Sequence, residues 1–186
     1  DPDGDALLYA WDLDNDGRKD FVTANEDGSI TLLHGLGDGT FRPPRSILVG
    51  ERLIGLLVMQ ADPRMDYLSI VVTDAEADLA YVLVGKKDGK YAPPRGYRVG
   101  HGPYGLAAGD LDGDGNSDLV VSNGDDGTLS VLAGHGDGTF DDAQSVAVSP
   151  GPATMAIGDV DGDGDLDVVV VQQRVNLVTV LSNQQK

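Results

Sequence analysis

The chain of 186 residues carries 13 basic and 31 acidic residues, which gives a formal net charge of −18 at neutral pH. This charge argues against nucleic acid or an anionic membrane surface as a partner, since both require cationic patches, and the absence of cysteine excludes disulfides, thiol catalysis and thiolate metal sites. An apolar content of 40% is adequate for one domain with a substantial core, and we expect no membrane insertion because no apolar run approaches the roughly 18 residues that cross a bilayer.

Short apolar runs separated by glycine-rich turns predict strands along the whole chain. The first set falls near 6–11, 20–24, 29–34 and 45–49, and the second near 54–60, 68–73, 79–84 and 95–99. The third set falls near 104–109, 118–122, 128–133 and 144–148, and the fourth, which lacks an outer strand, near 153–158, 167–171 and 176–181. Four short strands in each unit of about 49 residues, without helical periodicity, are what a β-propeller blade requires.

A nine-residue acidic pattern occurs three times, each time between two predicted strands. Each copy has aspartate at positions 1, 3, 5 and 9 and glycine at position 6. The aspartates are Asp12, Asp14, Asp16 and Asp20, then Asp110, Asp112, Asp114 and Asp118, then Asp159, Asp161, Asp163 and Asp167. Four carboxylates packed this closely repel one another unless a cation lies among them, and alternate carboxylates before a glycine turn are typical of calcium loops. We therefore predict three Ca²⁺ sites.

Calcium loops of this type usually add the backbone carbonyl of position 7, which is Arg18, Asn116 or Asp165 here. Because these side chains differ, the side chain of position 7 is not the common element. An EF-hand shares the opening of the pattern but needs a glutamate at position 12 and flanking helices, whereas position 12 is threonine or valine within a β-rich run. The remaining alternative is three solvated acidic turns, since aspartate and glycine are ordinary turn residues.

The copies of the pattern are spaced at multiples of 49 residues: 49 from Asp110 to Asp159 and 98 from Asp12 to Asp110. One copy has therefore lost its loop. It falls near position 61, where the sequence reads Gln-Ala-Asp-Pro-Arg-Met-Asp before an intact strand. Arg64 is a candidate to place a guanidinium where the cation would lie.

A second landmark, Asp-Gly followed two residues later by an aromatic residue, has the same period. The aromatic residues are Phe41, Tyr91 and Phe140, which are 50 and 49 residues apart. Asp-Gly fits a tight turn that leads into a strand. We predict that the rings pack structurally and do not contact a ligand.

The acidic pattern with its flanking strands resembles the FG-GAP or VCBS repeat family, the blade type of integrin α-subunit propellers and of many secreted bacterial and fungal proteins. The resemblance covers about residues 6–182. It is carried by Leu-Ala-Ala-Gly-Asp-Leu-Asp-Gly-Asp-Gly-Asn-Ser-Asp-Leu-Val-Val at 106–121, by Ala-Ile-Gly-Asp-Val-Asp-Gly-Asp-Gly-Asp-Leu-Asp-Val-Val-Val at 156–170, and by the Gly-Asp-Gly-Thr-Phe turns. It implies a Ca²⁺-loaded loop between the first and second strands of each blade.

We predict a single all-β domain over 1–186, a β-propeller of four-stranded antiparallel blades at about 6–50, 51–100, 101–149 and 150–186. About six residues precede the first strand, so the chain cannot close a ring by completing one blade from both ends. We expect it to form part of a larger ring, completed by a second chain or a missing segment, and the start at Asp1 indicates a processed product or excised piece. A stacked solenoid of four-stranded sheets is the structural alternative.

No catalytic constellation is evident in the sequence. His34, His101 and His135 lie in no recognisable triad pattern, and the aspartates fit saturated calcium cages better than acid/base pairs. We therefore predict that the protein is not an enzyme. By analogy with the repeat family, it is a calcium-stabilised binding or adhesion module for a glycan or an extracellular protein. Its location would be secreted or at the cell surface, because calcium loops of extracellular modules often have dissociation constants of roughly 10⁻⁴ to 10⁻³ M.

Trp11 is a candidate ligand-binding residue because it takes the place of Gly109 and Gly158, immediately before the acidic pattern. Packing against a neighbouring blade is the structural interpretation of the same residue. The alternative function is a scaffold propeller of a larger secreted enzyme such as a polysaccharide lyase. Four arginines near the Pro-Pro segments would then form a cationic stripe: Arg42, Arg45, Arg95 and Arg98.

Overall fold

The computed structural model describes residues 11–184 of the chain. The described part is all-β: its regular elements are antiparallel strands, apart from one 3₁₀ turn at Lys87–Gly89. No helix long and apolar enough to span a membrane occurs among these residues.

Four principal sheets follow one another along the chain. The first contains β1 (Phe21–Ala24), β2 (Ser29–Leu33) and β3 (Arg45–Leu48). The second contains β4 (Leu53–Met59), β5 (Ser69–Asp74) and β6 (Leu79–Leu83); the chain then forms a two-stranded ribbon, β7 (Gly85–Lys86) and β8 (Lys90–Tyr91), and returns to the sheet as β9 (Arg95–Arg98). The third contains β10 (Pro103–Gly109), β11 (Asp118–Asn123), β12 (Thr128–Leu132) and β13 (Gln144–Ala147). The fourth contains β14 (Pro152–Gly158), β15 (Asp167–Gln172) and β16 (Leu177–Leu181).

The strand positions predicted from the sequence are confirmed from residue 20 onward, and each boundary agrees to within one residue. The predicted strand at 6–11 lies outside the described residues except for Trp11, which forms an antiparallel bridge with Asp20. The short ribbon of β7 and β8 was not predicted, because its two strands have two residues each and carry no periodic pattern. The agreement elsewhere reflects the strong punctuation of each strand by glycine-rich turns.

The cores lie between successive sheets, because the second strands of the second and third sheets, β5 and β11, are buried on both faces. In β5, Ile70 packs towards the first sheet and Val71 towards the third. In β11, Leu119 packs towards the second sheet and Val120 towards the fourth. Alternate residues of a strand point to opposite faces, so these continuous apolar runs follow from two-sided packing. The four sheets therefore stack face to face in chain order.

The first strands of neighbouring sheets approach closely at a glycine. A Cβ on Gly55 of β4 would lie 2.1 Å from the carbonyl oxygen of Tyr104, and a Cβ on Gly105 of β10 would lie 2.2 Å from that of Ala153. A hydroxyl bridges the same gap, since Ser122 accepts the N–H of Gly105 (2.8 Å) and donates to Ala153 (2.6 Å). Only glycine fits this backbone approach.

Candidate metal centre

Each acidic loop lies directly before the second strand of its sheet, and its backbone turns sharply at two positions. Position 4 is Asn15, Gly113 or Gly162, position 6 is Gly17, Gly115 or Gly164, and all six residues have φ values from 59° to 97°. At position 6 a Cβ would meet no atom within 4 Å. Glycine is therefore required there by the left-handed backbone and not by lack of space, and asparagine is the side chain that best tolerates the same conformation at position 4.

The aspartate at position 1 shapes each loop by accepting backbone N–H groups from the turn. The acidic loops are numbered by the sheet to which they belong, so they are the first, third and fourth loops. In the third loop, Asp110 accepts hydrogen bonds from the N–H groups of Gly113 (2.8 Å) and Gly115 (2.9 Å). Asp159 accepts from Gly162 and Gly164 in the same way, and in the first loop Asp12 accepts from residues 16 and 17. Each carboxylate oxygen keeps a second lone pair for another donor or a cation.

The aspartate at position 9 is buried and joins the loop to the rest of its sheet. Asp118 accepts the N–H of Leu111 (2.8 Å) on one oxygen and that of Gly134, beyond the third strand, on the other (2.8 Å). Asp20 and Asp167 make the equivalent pairs of hydrogen bonds. Burial raises the pKa of Asp118 despite these donors, whereas the backbone donors hold the pKa of Asp167 below its ordinary value.

Carboxylate oxygens from separate loop positions converge at each acidic loop. Ligand atoms within 4.8 Å of one another occur in four groups: Asp12, Asp14 and Asp16; Asp14, Asp20 and His34; Asp110, Asp112 and Asp118; and Asp159, Asp161 and Asp167. An all-oxygen group of three carboxylates is the donor set that a hard divalent cation prefers. The residues present therefore fit a calcium ion at each of the three acidic loops, and the first loop has a second group that includes a histidine nitrogen.

Positions 5 and 7 differ among the loops. Position 5 belongs to a converging group in the first loop, through Asp16, whereas Asp114 and Asp163 lie outside the groups found among the described residues. Asp114 accepts the N–H (2.7 Å) and side-chain amide (2.8 Å) of Asn116, which lower its pKa. At position 7 of the first loop, the guanidinium of Arg18 lies 3.9 Å from Asp16.

The first loop carries strongly interacting charges. Burial, together with the neighbouring charges of Asp20 and Asp16, raises the pKa of Asp14. A guanidinium nitrogen of Arg42 lies 3.6 Å from Asp14, and another lies 3.4 Å from Asp16. Carboxylates that repel one another in a partly buried loop favour either protonation or a bound cation.

The segment that replaces the acidic pattern in the second sheet keeps Asp62 and Asp66 and carries Arg64 between them. The guanidinium of Arg64 donates to both oxygens of Asp62 (2.8 and 3.0 Å) and to the carbonyl oxygen of Gly136 (3.2 Å). Ser69 takes the place of the aspartate at position 9 and accepts the N–H of Gly85 (3.2 Å). The chain itself thus provides a positive charge here, next to the carboxylate of Asp62.

A family model described as "FG-GAP-like repeat" matches residues 12–58 and 110–170, which is more than half of the chain. The chain belongs to the FG-GAP-like repeat family. The matched ranges contain all three acidic loops, and the unmatched stretch between them contains the segment that has lost the pattern. The resemblance inferred from the sequence is confirmed. No sequence among the curated proteins matches the chain.

Several solved structures share the fold of this FG-GAP-like repeat chain. BBS1N in complex with ARL6DN, soaked with lead, has a TM-score of 0.63 at 13% identity, over 96% of this chain and 56% of that one. An Agrocybe aegerita lectin that recognises non-reducing terminal N-acetylglucosamine has a TM-score of 0.58 at 20% identity, over 93% of this chain and 51% of the lectin chain. The K499G mutant of NanB sialidase from Streptococcus pneumoniae has a TM-score of 0.58 at 13% identity, over 94% of this chain and 29% of the sialidase chain. The chain spans about half the length, or less, of these propeller-like structures.

A cleft lies at the end of the strands opposite the acidic loops of the FG-GAP-like repeats. Its volume is about 250 Å³, and it forms where the second, third and fourth sheets meet. Tyr104, whose surface is 47% exposed, lines it together with Arg52 and Arg174, and Arg174 donates to Asp125 (2.7 Å). Sequence reasoning missed this cleft, because its residues come from three different repeats.

The other candidate residues lie away from this cleft. Trp11 packs against the core between the first and second sheets. His101 donates a hydrogen bond from Nδ1 to a carboxylate oxygen of Asp78 (2.6 Å), and this hydrogen bond raises the pKa of His101. His135 lies 3.1 Å from Asp141. His34 faces Asp14 and Asp20. The sequence places His34 just after the second predicted strand but does not reveal this contact with the acidic loop.

Proposed function

We propose that this FG-GAP-like repeat chain is a calcium-binding part of a β-propeller that acts as a non-catalytic extracellular binding module. The observation that carries the calcium proposal is the convergence of three carboxylates at the same place in two successive sheets, with a related group at the first loop. Those positions belong to the proposed ligand sets of positions 1, 3, 5 and 9, with the position 7 carbonyl completing each site. Calcium then offsets six of the eighteen net negative charges.

The proposed architecture is one domain, 1–186, with blades at about 6–50, 51–100, 101–149 and 150–186, inside a larger ring. Two observations support a larger ring. Among the described residues the fourth sheet has three strands, whereas β9 and β13 supply a fourth strand to the second and third sheets. The chain also covers 56% of BBS1N and 51% of the lectin. The remaining blades would come from a longer form of this chain or from a second chain.

Chelation tests the calcium proposal. At about 1 mM Ca²⁺ and a dissociation constant near 10⁻⁴ M, each site adds about 1.4 kcal/mol to the free energy of unfolding. Three sites together correspond to a fall in melting temperature of roughly 10 °C when EDTA replaces calcium. Differential scanning calorimetry with and without EDTA measures this change.

A matched pair of variants assigns the effect to a loop. Asp112→Asn removes a carboxylate from the third group and should reduce the response to calcium, whereas Asp142→Asn, on an exposed residue outside the groups, should leave it unchanged. A melting curve of the wild-type protein that is identical in EDTA and in calcium would contradict the proposal.

The binding part of the proposal rests on the cleft between the three sheets. Ligand sites are concave and combine an apolar surface with a few polar groups that fix orientation. The cleft has this composition, because the half-exposed Tyr104 lines it together with Arg52 and Arg174. An aromatic face with adjacent hydrogen-bond donors suits a sugar ring, so a glycan is the proposed ligand and an extracellular protein is the second choice.

Substitution of the exposed ring tests the glycan proposal. Tyr104→Ala should weaken glycan binding about tenfold, since aromatic contacts at binding sites contribute on the order of 1–2 kcal/mol. Leu48→Ala, which truncates an exposed side chain on the first sheet, is the matched control. A glycan array that includes terminal N-acetylglucosamine, followed by calorimetry on any hit, provides the measurement. Equal affinities for Tyr104→Ala and the wild type would exclude this cleft.

A scaffold domain of a larger secreted enzyme, such as a polysaccharide lyase, is the second candidate. It is favoured by the match to NanB sialidase, of which the chain covers 29%. The four arginines Arg42, Arg45, Arg95 and Arg98 do not line the cleft described above. Arg42 pairs with Asp14 and Asp16, and Arg95 lies over the ring of Tyr97 at 5.1 Å. Turnover of an acidic polysaccharide by the chain would revive a catalytic role.

A further inference from the structure

The first acidic loop differs from the others because an imidazole faces it. His34 follows β2, at the place taken by Val84, Ala133 and Ser182 in the other sheets. Its Nδ1 atom lies 3.4 Å from a carboxylate oxygen of Asp14 and 3.4 Å from one of Asp20. The groups at the other two acidic loops contain aspartates alone, whereas the first loop has both an all-aspartate group and a group that includes His34.

Three buried polar atoms without a hydrogen-bond partner gather at this loop. Among the described residues, four buried side-chain polar atoms lack a partner, and three of them are Oδ1 of Asp14, Nδ1 of His34 and the hydroxyl of Tyr91. The hydroxyl of Tyr91 lies within the electrostatic influence of Asp20 and Asp14. Buried polar groups are almost always satisfied, and each unsatisfied one costs about 1–3 kcal/mol. A cluster of them offers several ligand atoms to one bound cation.

The site is closed by the second sheet. A Cβ on Gly89 would lie 2.7 Å from Cβ of Asp14 and 3.1 Å from Cε1 of His34, so the 3₁₀ turn after β7 packs directly over both side chains. The side chains of Asp14 and His34 are only 11% and 14% exposed, and that of Asp20 is 1% exposed. A cation bound here would therefore be held largely out of water.

The two separations of 3.4 Å fit a small cation between the nitrogen and the oxygens. A hydrogen bond from Nδ1 would be about 2.7–3.2 Å long. A metal ion about 2.1 Å from each of two ligands at a tetrahedral angle holds those ligands about 3.4 Å apart. A calcium ion about 2.4 Å from each of two ligands at a right angle gives the same separation, so the distance fits a bound cation without selecting the metal. Ligand type then favours a metal softer than calcium, because imidazole nitrogen suits zinc and similar ions, whereas calcium prefers six to eight oxygens.

The arginines beside the first loop lower its affinity for any divalent cation. Arg42 lies within 4 Å of Asp14 and Asp16, and Arg18 lies 3.9 Å from Asp16. The preference for zinc over calcium at this loop therefore rests on the imidazole nitrogen of His34.

We propose that the first loop is a site for a zinc-class divalent ion, with His34, Asp14 and Asp20 as ligands and Tyr91 beside them, while the third and fourth loops bind calcium. This inference rests on the proposed function, in that the acidic loops are taken to bind cations, but it assigns one of the three sites to a different metal.

Metal competition on the full chain tests this assignment. The chelator-stripped protein is titrated with Zn²⁺ alone, with Ca²⁺ alone, and with Zn²⁺ in excess Ca²⁺, and bound metal is measured by calorimetry and by elemental analysis after gel filtration. We expect one Zn²⁺ that resists a hundredfold excess of Ca²⁺, and two Ca²⁺. The NMR signal of His34 Nδ1 should shift when Zn²⁺ binds.

Three variants separate the possible outcomes. His34→Ala introduces the residue found at the corresponding place in the third sheet, Ala133. It should lower Zn²⁺ affinity at least tenfold and leave two bound Ca²⁺. His135→Ala controls for adventitious binding to a surface histidine. Asp112→Asn should lose one Ca²⁺ and keep Zn²⁺. Unchanged Zn²⁺ affinity in His34→Ala, or three equivalent Ca²⁺ in the wild type, would overturn this inference alone. Absence of any cation at the third and fourth loops would overturn the proposed function instead.

Discussion

Asp74 shows how one buried carboxylate organises a junction between sheets. It accepts backbone N–H groups from residues 51, 52, 76 and 77, at 2.7 to 3.2 Å. Burial alone would raise the pKa of Asp74, but the four donors together hold it below its ordinary value of 3.8. In the third sheet the equivalent residue, Asn123, instead donates to Thr128 and Ser130. A carboxylate is needed at position 74 because the four backbone groups around it are all hydrogen-bond donors.

The lowered pKa predicts a dependence of stability on acid. Because the folded pKa of Asp74 lies below the unfolded value, its contribution to the free energy of unfolding is complete above about pH 5 and is lost as pH falls through the folded pKa. Asp74→Asn should destabilise the protein by about 2 kcal/mol at neutral pH, since an amide cannot accept all four N–H groups. Urea unfolding at pH 7 and pH 3 measures both effects. Equal loss of stability on acidification in the variant and the wild type would contradict this role.

At the scale of the strand, contact between neighbouring sheets depends on small residues and hydroxyl bridges in the first and second strands. Thr73 accepts the N–H of Gly55 (2.7 Å) and donates to Tyr104 (3.1 Å), as Ser122 does one sheet later. The fourth sheet has Val171 at the corresponding place, 39% exposed. The bridge therefore links the second sheet to the third and the third to the fourth. No hydroxyl takes this place in the fourth sheet, which has no following sheet to contact among the described residues.

The close approach at Gly105 predicts a large effect of one methyl group. Gly105→Ala would place a Cβ 2.2 Å from a backbone oxygen, and we expect a loss of roughly 2–3 kcal/mol in the free energy of unfolding from overpacking. Gly124→Ala is the matched control, because its Cβ would meet its nearest atoms at 3.5 Å. Guanidinium unfolding of both variants compares them. Similar stabilities would mean that the sheets separate readily at this junction.

At the scale of the whole molecule, the sheets bury their faces in sequence and leave one face without a neighbour. The fourth sheet exposes Val178 (59%) and Val180 (45%) on one side of β16 and Leu177 (45%) on the other side of the same strand. Soluble proteins seldom expose such a cluster on an unpaired strand, because it promotes association. This surface is where the next part of a larger ring would pack.

The exposed strand predicts association of the isolated chain. We expect the 186-residue chain to form concentration-dependent oligomers, and expect Val178→Lys with Val180→Lys to make it monomeric by charging the edge. Leu48→Lys, on the exposed β3, is the control that should not change the mass. Sedimentation velocity at several concentrations gives the measurement. A monomeric wild-type chain at all concentrations would show that this face is not an interface.

The amino-acid sequence by itself determined where the strands and acidic loops lie, because these depend on local alternation, turn residues and spacing. The positions of glycine and aspartate alone predicted the strand boundaries from residue 20 onward and the loss of the acidic pattern in the second sheet. The environment of His34, by contrast, depends on Asp14, Asp20 and Gly89, which come from two sheets. The contact of Arg64 with Gly136 spans 72 residues, and the cleft at Tyr104 draws on three sheets. Only the tertiary structure decided these contacts, because the packing of distant segments sets them and no local pattern records it.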